Sequence, residues 1–264
     1  MVVNKPMVAA AAAVVVVACA VGFYFHSHRT QLPSVPTDTP PVASQPSTGI
    51  AHPVPGANQA GTAAVPLPAL NDSDATLLDS LAQLSSTAAV KDFLQPEGVV
   101  RHLVVTIDNL PRQKVAVEKR PTTAVPGTFA ATGDELHATL DKRNFDRYKP
   151  MVAVIHDMDM QKLAAVYTHF YPLFQQSYQD LGYPNGYFND RLVQVIDVML
   201  ATPQPTGPVE LVRPNVMYTF ADPALEARPA GQKLLIRMGP ENAAVIKEKL
   251  TQLRTIVATS PPKH

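Results

Sequence analysis

The sequence predicts a mainly α-helical domain with a minor β-hairpin, set behind a single-pass N-terminal transmembrane helix and a Pro-rich linker. Three observations carry this reading. Between Leu70 and Ala258, apolar residues recur every three or four positions in one stretch after another. Those stretches are bracketed by helix-starting Asp and Asn residues and by Leu-Pro or Gly-Pro stops. Strand-like runs are short, about Thr132-Gly133-Asp134 and from Val209 to Phe220, which Pro214 interrupts.

Taken in order, Met7 to Phe25 reads MVAAAAAVVVVACAVGFYF, an uncharged run of about 19 residues, close to the length a helix needs to cross the hydrocarbon layer. A cleaved signal peptide or a lipoprotein site about Ala18-Cys19-Ala20 is the alternative. Either would leave Ala-Val-Gly-Phe-Tyr-Phe at the new amino terminus, so an uncleaved anchor is preferred. Residues 30–69 are rich in Pro, Ser, Thr, Ala and Gly, with Asp38 as their only full charge, and read as a disordered linker. With so little charge, this stretch offers little resistance to translocation. The expected arrangement is therefore inner-membrane, with a cytoplasmic amino terminus, a periplasmic domain over 70–258 and a disordered tail over 259–264.

Within the domain, the cap-forming cluster Asn71-Asp72-Ser73-Asp74 precedes Leu77, Leu78, Leu81 and Leu84. Pro96 and Glu97 suit the first turn of a helix bearing Val99, Val100, Leu103, Val104 and Ile107, which stops at Leu110-Pro111. A hairpin is expected about Gly133. Pro150 is read as opening a helix through Ile155. Asp159 is read as capping a longer one, kinked at Pro172, with Leu163, Val166, Tyr167, Phe170, Phe174 and Leu181 inward. Asn189 is read as capping the next, with Leu192, Val195, Ile196 and Met199 inward. Gln232–Met238 and Glu241–Val257 form a helical hairpin about Gly239-Pro240.

Several function classes fall away. Cys19 is the single cysteine and lies in the apolar segment, so the domain has no disulfide, thiolate nucleophile or cysteine-based zinc site. Lys+Arg and Asp+Glu both total 22, and so even a balance argues against a nucleic-acid partner. There is no Gly-x-Ser-x-Gly elbow, His-Glu-x-x-His, phosphate loop or dinucleotide fingerprint. No catalytic residue, cofactor or metal is therefore assigned, and in His156-Asp157-Met158-Asp159 the last residue reads as a helix cap.

The informative stretch is YPLFQQSYQDLGYPNGYFNDRL, Tyr171 to Leu192. Its helical aromatics have core spacing, but the loop after Leu181 delivers Tyr183, Tyr187, Asn189, Asp190 and Arg191 together, and these five are the candidate partner-binding residues. Arg191 opposes the dipole of the helix it begins by about 0.3 to 1 kcal/mol, so an anion should offset it. That anion is either a carboxylate of the same domain, such as Asp180 or Glu226, or one brought by a partner between Tyr183 and Tyr187.

Leu173-Phe-Gln-Gln-Ser-Tyr, Leu181-Gly-Tyr-Pro-Asn-Gly-Tyr-Phe-Asn-Asp-Arg-Leu, Ile107-Asp-Asn-Leu-Pro-Arg and Gly231-Gln-Lys-Leu-Leu-Ile-Arg-Met-Gly-Pro-Glu-Asn resemble an uncharacterised bacterial family, domain of unknown function 3014, from about Leu67 to Ile256. The resemblance implies single-pass envelope proteins of Gram-negative bacteria and supplies no activity. Pro229 stands where the family's Ser is expected, which leaves the start of that helix open. Three functional readings remain. The first is a non-enzymatic binding or scaffolding module for another envelope protein or cell-wall component. The second is an enzyme acting on peptidoglycan or envelope glycan, with Asp190 or Glu241 as general acid. The third is a purely structural envelope protein.

Overall fold

The computed structural model describes residues 50–54, 67–84, 93–115, 119–123, 127–134, 137–214 and 217–258. The expected transmembrane helix 7–25, most of the linker and the tail 259–264 lie outside them. No helix among the described residues is long and apolar enough to cross a membrane.

Asn71 and Asp72 of the expected cap cluster lie in a short 3-10 turn, Leu70–Asp72, and α1, Asp74–Ala82, follows Ser73, which makes no side-chain cap bond; the Asp74 carboxylate serves a neighbour. Asp74 accepts from the amides of Gly98 at 2.7 Å and Val99 at 2.8 Å. It thereby caps α2, Val99–Asn109. Pro96 and Glu97 precede that helix instead of forming its first turn, because Gly98 takes a left-handed φ of 61° there. As expected, the helix ends before Leu110-Pro111.

The next helix, α3, spans Arg143–Asp157 and holds Pro150 inside it, where the sequence reading made Pro150 its start. The Asp141 carboxylate accepts from the Arg143 amide at 2.7 Å and supplies the earlier start. Buried Tyr148, Met151, Val152 and Ile155 carry its core stripe, which the polar residues around Arg147 obscure. Asp159 caps α4, Met160–Asp180, as expected, accepting from the Gln161 and Lys162 amides, and the helix continues through Pro172. Leu181 falls outside it and is 38 % exposed.

Helix α5 covers Phe188–Leu200, α6 Pro223–Glu226, α7 Ala230–Met238 and α8 Pro240–Val257. Helix α7 follows Pro229 directly. Helix α8 packs against α3, α4, α5 and α7, with Ile246, Leu250 and Leu253 buried. Gly239, at φ 86°, turns α7 into α8 where an added Cβ would stand 2.5 Å from the Phe145 ring.

The expected hairpin exists and is half of a larger sheet. Strands β1, Ala131–Thr132, β2, Ala138–Leu140, β3, Glu210–Val212, and β4, Thr219–Phe220, pair antiparallel in that order. Ala138 faces Leu211, and Leu211 faces Phe220. This sheet has its own small core of Ala138, Leu140, Leu211, Phe220 and Ile236. The Arg237 guanidinium lies 4.7 Å from the Phe220 ring centroid, and burial pulls its pKa down to about 9.

The aromatic stretch is largely core. Phe174 and Phe188 stack with centroids 5.8 Å apart, Tyr167 and Tyr178 lie against them, and Tyr171 meets the Tyr167 ring edge-on. Desolvation raises the phenol pKa values of Tyr148, Tyr167, Tyr171 and Tyr183. A phenol whose folded pKa lies above its unfolded value favours the fold fully below about pH 10 and loses that contribution as pH rises through the folded value. In an alkaline titration, part of the tyrosinate absorbance should therefore appear only together with loss of the helical circular dichroism. Complete ionisation near pH 10 with the helices intact would contradict this.

Candidate functional site

The loop Gly182–Gly186 delivers Tyr187 and the first turn of α5 against α2 and α4. Its anchor is Gln175 of α4, whose amide group donates to the Gly186 carbonyl at 2.7 Å while its oxygen accepts from the Phe188 amide at 2.8 Å and the Tyr171 hydroxyl at 2.9 Å. Gln175 therefore caps α5, and Asn189 does not: Tyr187 is the N-cap residue, without a side-chain cap of its own. Asn189 instead points inward at 0 % exposure.

The five residues singled out in the sequence divide between two clusters. In the first, the buried Asp108 carboxylate of α2 accepts from Arg191 Nε at 2.9 Å, Arg112 Nη2 at 2.9 Å and the Tyr183 hydroxyl at 3.2 Å. The Asp108 carbonyl also accepts from Arg191 Nη2 at 2.6 Å. The anion that offsets Arg191 is thus Asp108. Of the carboxylates the sequence suggested, Asp180 stands 4.0 Å from Arg101 and Glu226 pairs with Lys233 at 2.7 Å. Burial lowers the Arg112 pKa, but the Asp108 charge and hydrogen bond outweigh it and hold the guanidinium above its ordinary value. Burial, joined by the Asp108 charge, pushes the Tyr183 phenol up. This cluster ties α2 to α5.

The second cluster holds a piece of the expected linker. Asp190 accepts from the amides of Ala51 at 3.1 Å and His52 at 2.7 Å. Asn189 Nδ2 donates to the His52 carbonyl at 2.8 Å and to the Val257 carbonyl at 2.9 Å, and its Oδ1 accepts from the Tyr167 hydroxyl at 3.0 Å. The Tyr187 hydroxyl accepts from the Val54 amide at 3.1 Å, and Val54 is 8 % exposed against the main core. Residues 51–54 are therefore docked, where composition suggested a free linker. All four contacts run from domain side chains to main-chain groups, so they read the backbone of the segment.

A family profile described as protein of unknown function (DUF3014) matches residues 99–254. The chain belongs to the DUF3014 family. No curated protein and no solved structure matches the chain. Both side-chain clusters lie inside the DUF3014 region, and the docked segment lies outside it.

A separate cleft of about 740 Å³ opens between the sheet and the α7–α8 turn, lined among others by Leu140, Phe145, Val209, Ile236 and Lys247. Neither Asp190 nor Glu241 lines it. Among the described residues, no group of three or more His, Cys, Asp or Glu is placed to hold a metal ion, and His156 lies 3.2 Å from Asp157.

Sequence reasoning missed Asp108, Arg112, Gln175 and the segment 51–54. Asp108 carried a signal: it falls four positions after Val104 and eight after Val100, on the apolar side of its helix, where an acid implies a buried cation. Segment 51–54 carried none that sets it apart from the other Pro-Val pair of that stretch, Pro41-Val42.

Proposed function

We propose that this DUF3014 chain is a non-enzymatic binding module of the cell envelope. In this reading residues 7–25 hold it in the inner membrane with its amino terminus in the cytoplasm, and the domain recognises another envelope component in the periplasm. Tyr187, Asn189 and Asp190 form the recognition surface, whereas Tyr183 and Arg191 shape the helix start that presents it. The observation that carries the proposal is the docked segment itself: a face chosen from sequence as partner-binding holds four main-chain groups of a polypeptide through its side chains.

Asn185 is exposed in the loop leading to Tyr187, so a photoreactive residue placed there samples the face without altering it. In cells, the full-length chain should give a discrete adduct with an envelope component, lost on Asp190→Asn. An adduct pattern indifferent to Asp190→Asn, or no adduct, would remove the proposal.

A further inference from the structure

We infer that the α5 start is a peptide-binding site whose ligand is a segment with two successive free amides, then proline, then a valine-sized residue. Ala51–Val54 occupies the site in cis, and an equivalent segment of another polypeptide replaces it. This rests on the binding-module reading and names the partner's chemistry.

Each position of the occupant has a stated reason. A single carboxylate accepts from two consecutive amides, at 3.1 and 2.7 Å, the concavity that a backbone bend offers to an anion. Residues at those two positions cannot be proline. Asn189 takes the carbonyl of the second. At the third position Pro53 has no amide to offer, and its ring restricts His52 before binding. At the fourth, the amide meets the Tyr187 hydroxyl and the side chain is buried, so an apolar residue of valine size is required.

The same chain supplies a natural control. Thr39-Pro40-Pro41-Val42 repeats the Pro-Val pair but places Pro40 where His52 donates. It lacks the amide of the 2.7 Å hydrogen bond. Such a peptide should bind roughly tenfold to a hundredfold more weakly, the worth of one charge-assisted hydrogen bond.

Residues 55–66 join the docked segment to the domain. So short a connection holds the cis ligand at an effective concentration on the order of millimolar. An incoming peptide of micromolar affinity is therefore masked until the connection is cut or the segment is drawn away.

The test uses the full-length chain in detergent with a specific protease site replacing residues 58–63. After cleavage, the N-terminal fragment should remain with the domain at high concentration and leave on dilution. A synthetic peptide of residues 49–56 should displace it, whereas one of residues 37–44 should need at least tenfold more. Asp190→Asn should abolish retention. Loss of helical circular dichroism on cleavage would overturn the inference, because the segment would then be part of the core. So would release of the fragment with no rebinding of either fragment or peptide. If the Asp190-dependent adduct at Asn185 persists while the 49–56 peptide fails to bind, the module stands and the peptide class falls. If the peptide binds and no adduct forms in cells, the peptide site stands and the envelope partner falls.

Discussion

Asp108→Ala is expected to lower the melting temperature by about 5 to 15 °C. Its carboxyl is 4 % exposed and meets Arg191, at 18 %, and Arg112, at 43 %. Removing one partner of a buried pair costs about 3 to 5 kcal/mol, because the remaining charge keeps its desolvation penalty and loses its compensation. Arg112 can recover water, so about 2 to 4 kcal/mol is the better figure here, and each kcal/mol moves a domain of this size by about 2 to 4 °C. Arg191→Gln should cost less, since Asp108 would keep Arg112 and the Tyr183 hydroxyl. Together the two substitutions should fall short of the sum of their separate effects, as groups in one network do. A change below about 2 °C for Asp108→Ala would show that the cluster does not hold α2 to α5.

Asn189→Leu is expected to cost about 3 to 5 kcal/mol although the two side chains share one branched skeleton. Three groups lose their partner in one step: the Tyr167 hydroxyl, the Val257 carbonyl and the His52 carbonyl. A buried polar group left unpaired costs about 1 to 3 kcal/mol, and the His52 carbonyl, nearest the surface, loses least. The damage should have two readouts. The domain should melt earlier, and the Ala51 and His52 amides should exchange faster with solvent, because Asp190 and Tyr187 must then hold the segment without Asn189. Faster exchange at those two amides under Asp190→Asn, with little change in melting temperature, would separate the docking contact from the core contact. Unchanged exchange in Asn189→Leu would show that Asn189 supports the core alone.

The helices were legible in sequence wherever an apolar stripe ran uninterrupted, as in α2 and α5. They were misread where a group outside the stripe decided the boundary. Pro150 looked like a helix start because the turns before it are polar, and only the Asp141 carboxylate, outside the stripe, shows where α3 begins. Asn189 looked like a cap because Asn commonly is one, yet Gln175 of another helix had taken that duty. The sheet was half visible, since a hairpin is a local object and the β2–β3 pairing is not. The site followed the same rule. A dipole-opposed arginine announced the need for an anion, but which one depends on how α2 lies against α5. The docked segment could not be anticipated, because main-chain recognition leaves no demand on the side chains of the ligand beyond Pro53 and Val54.

The order in which the parts leave the ribosome gives the docked segment a history. Ala51 is bound by a residue 139 positions further along the chain. At about 5 to 20 residues per second, synthesis of the receptor lags that of the segment by about 7 to 30 s. Asn189 also holds the last turn of α8 through Val257, so closure waits for the final helix as well. Latching of residues 51–54 is therefore among the last events of folding, and a protease that cuts beside Val54 would distinguish finished domains from nascent ones.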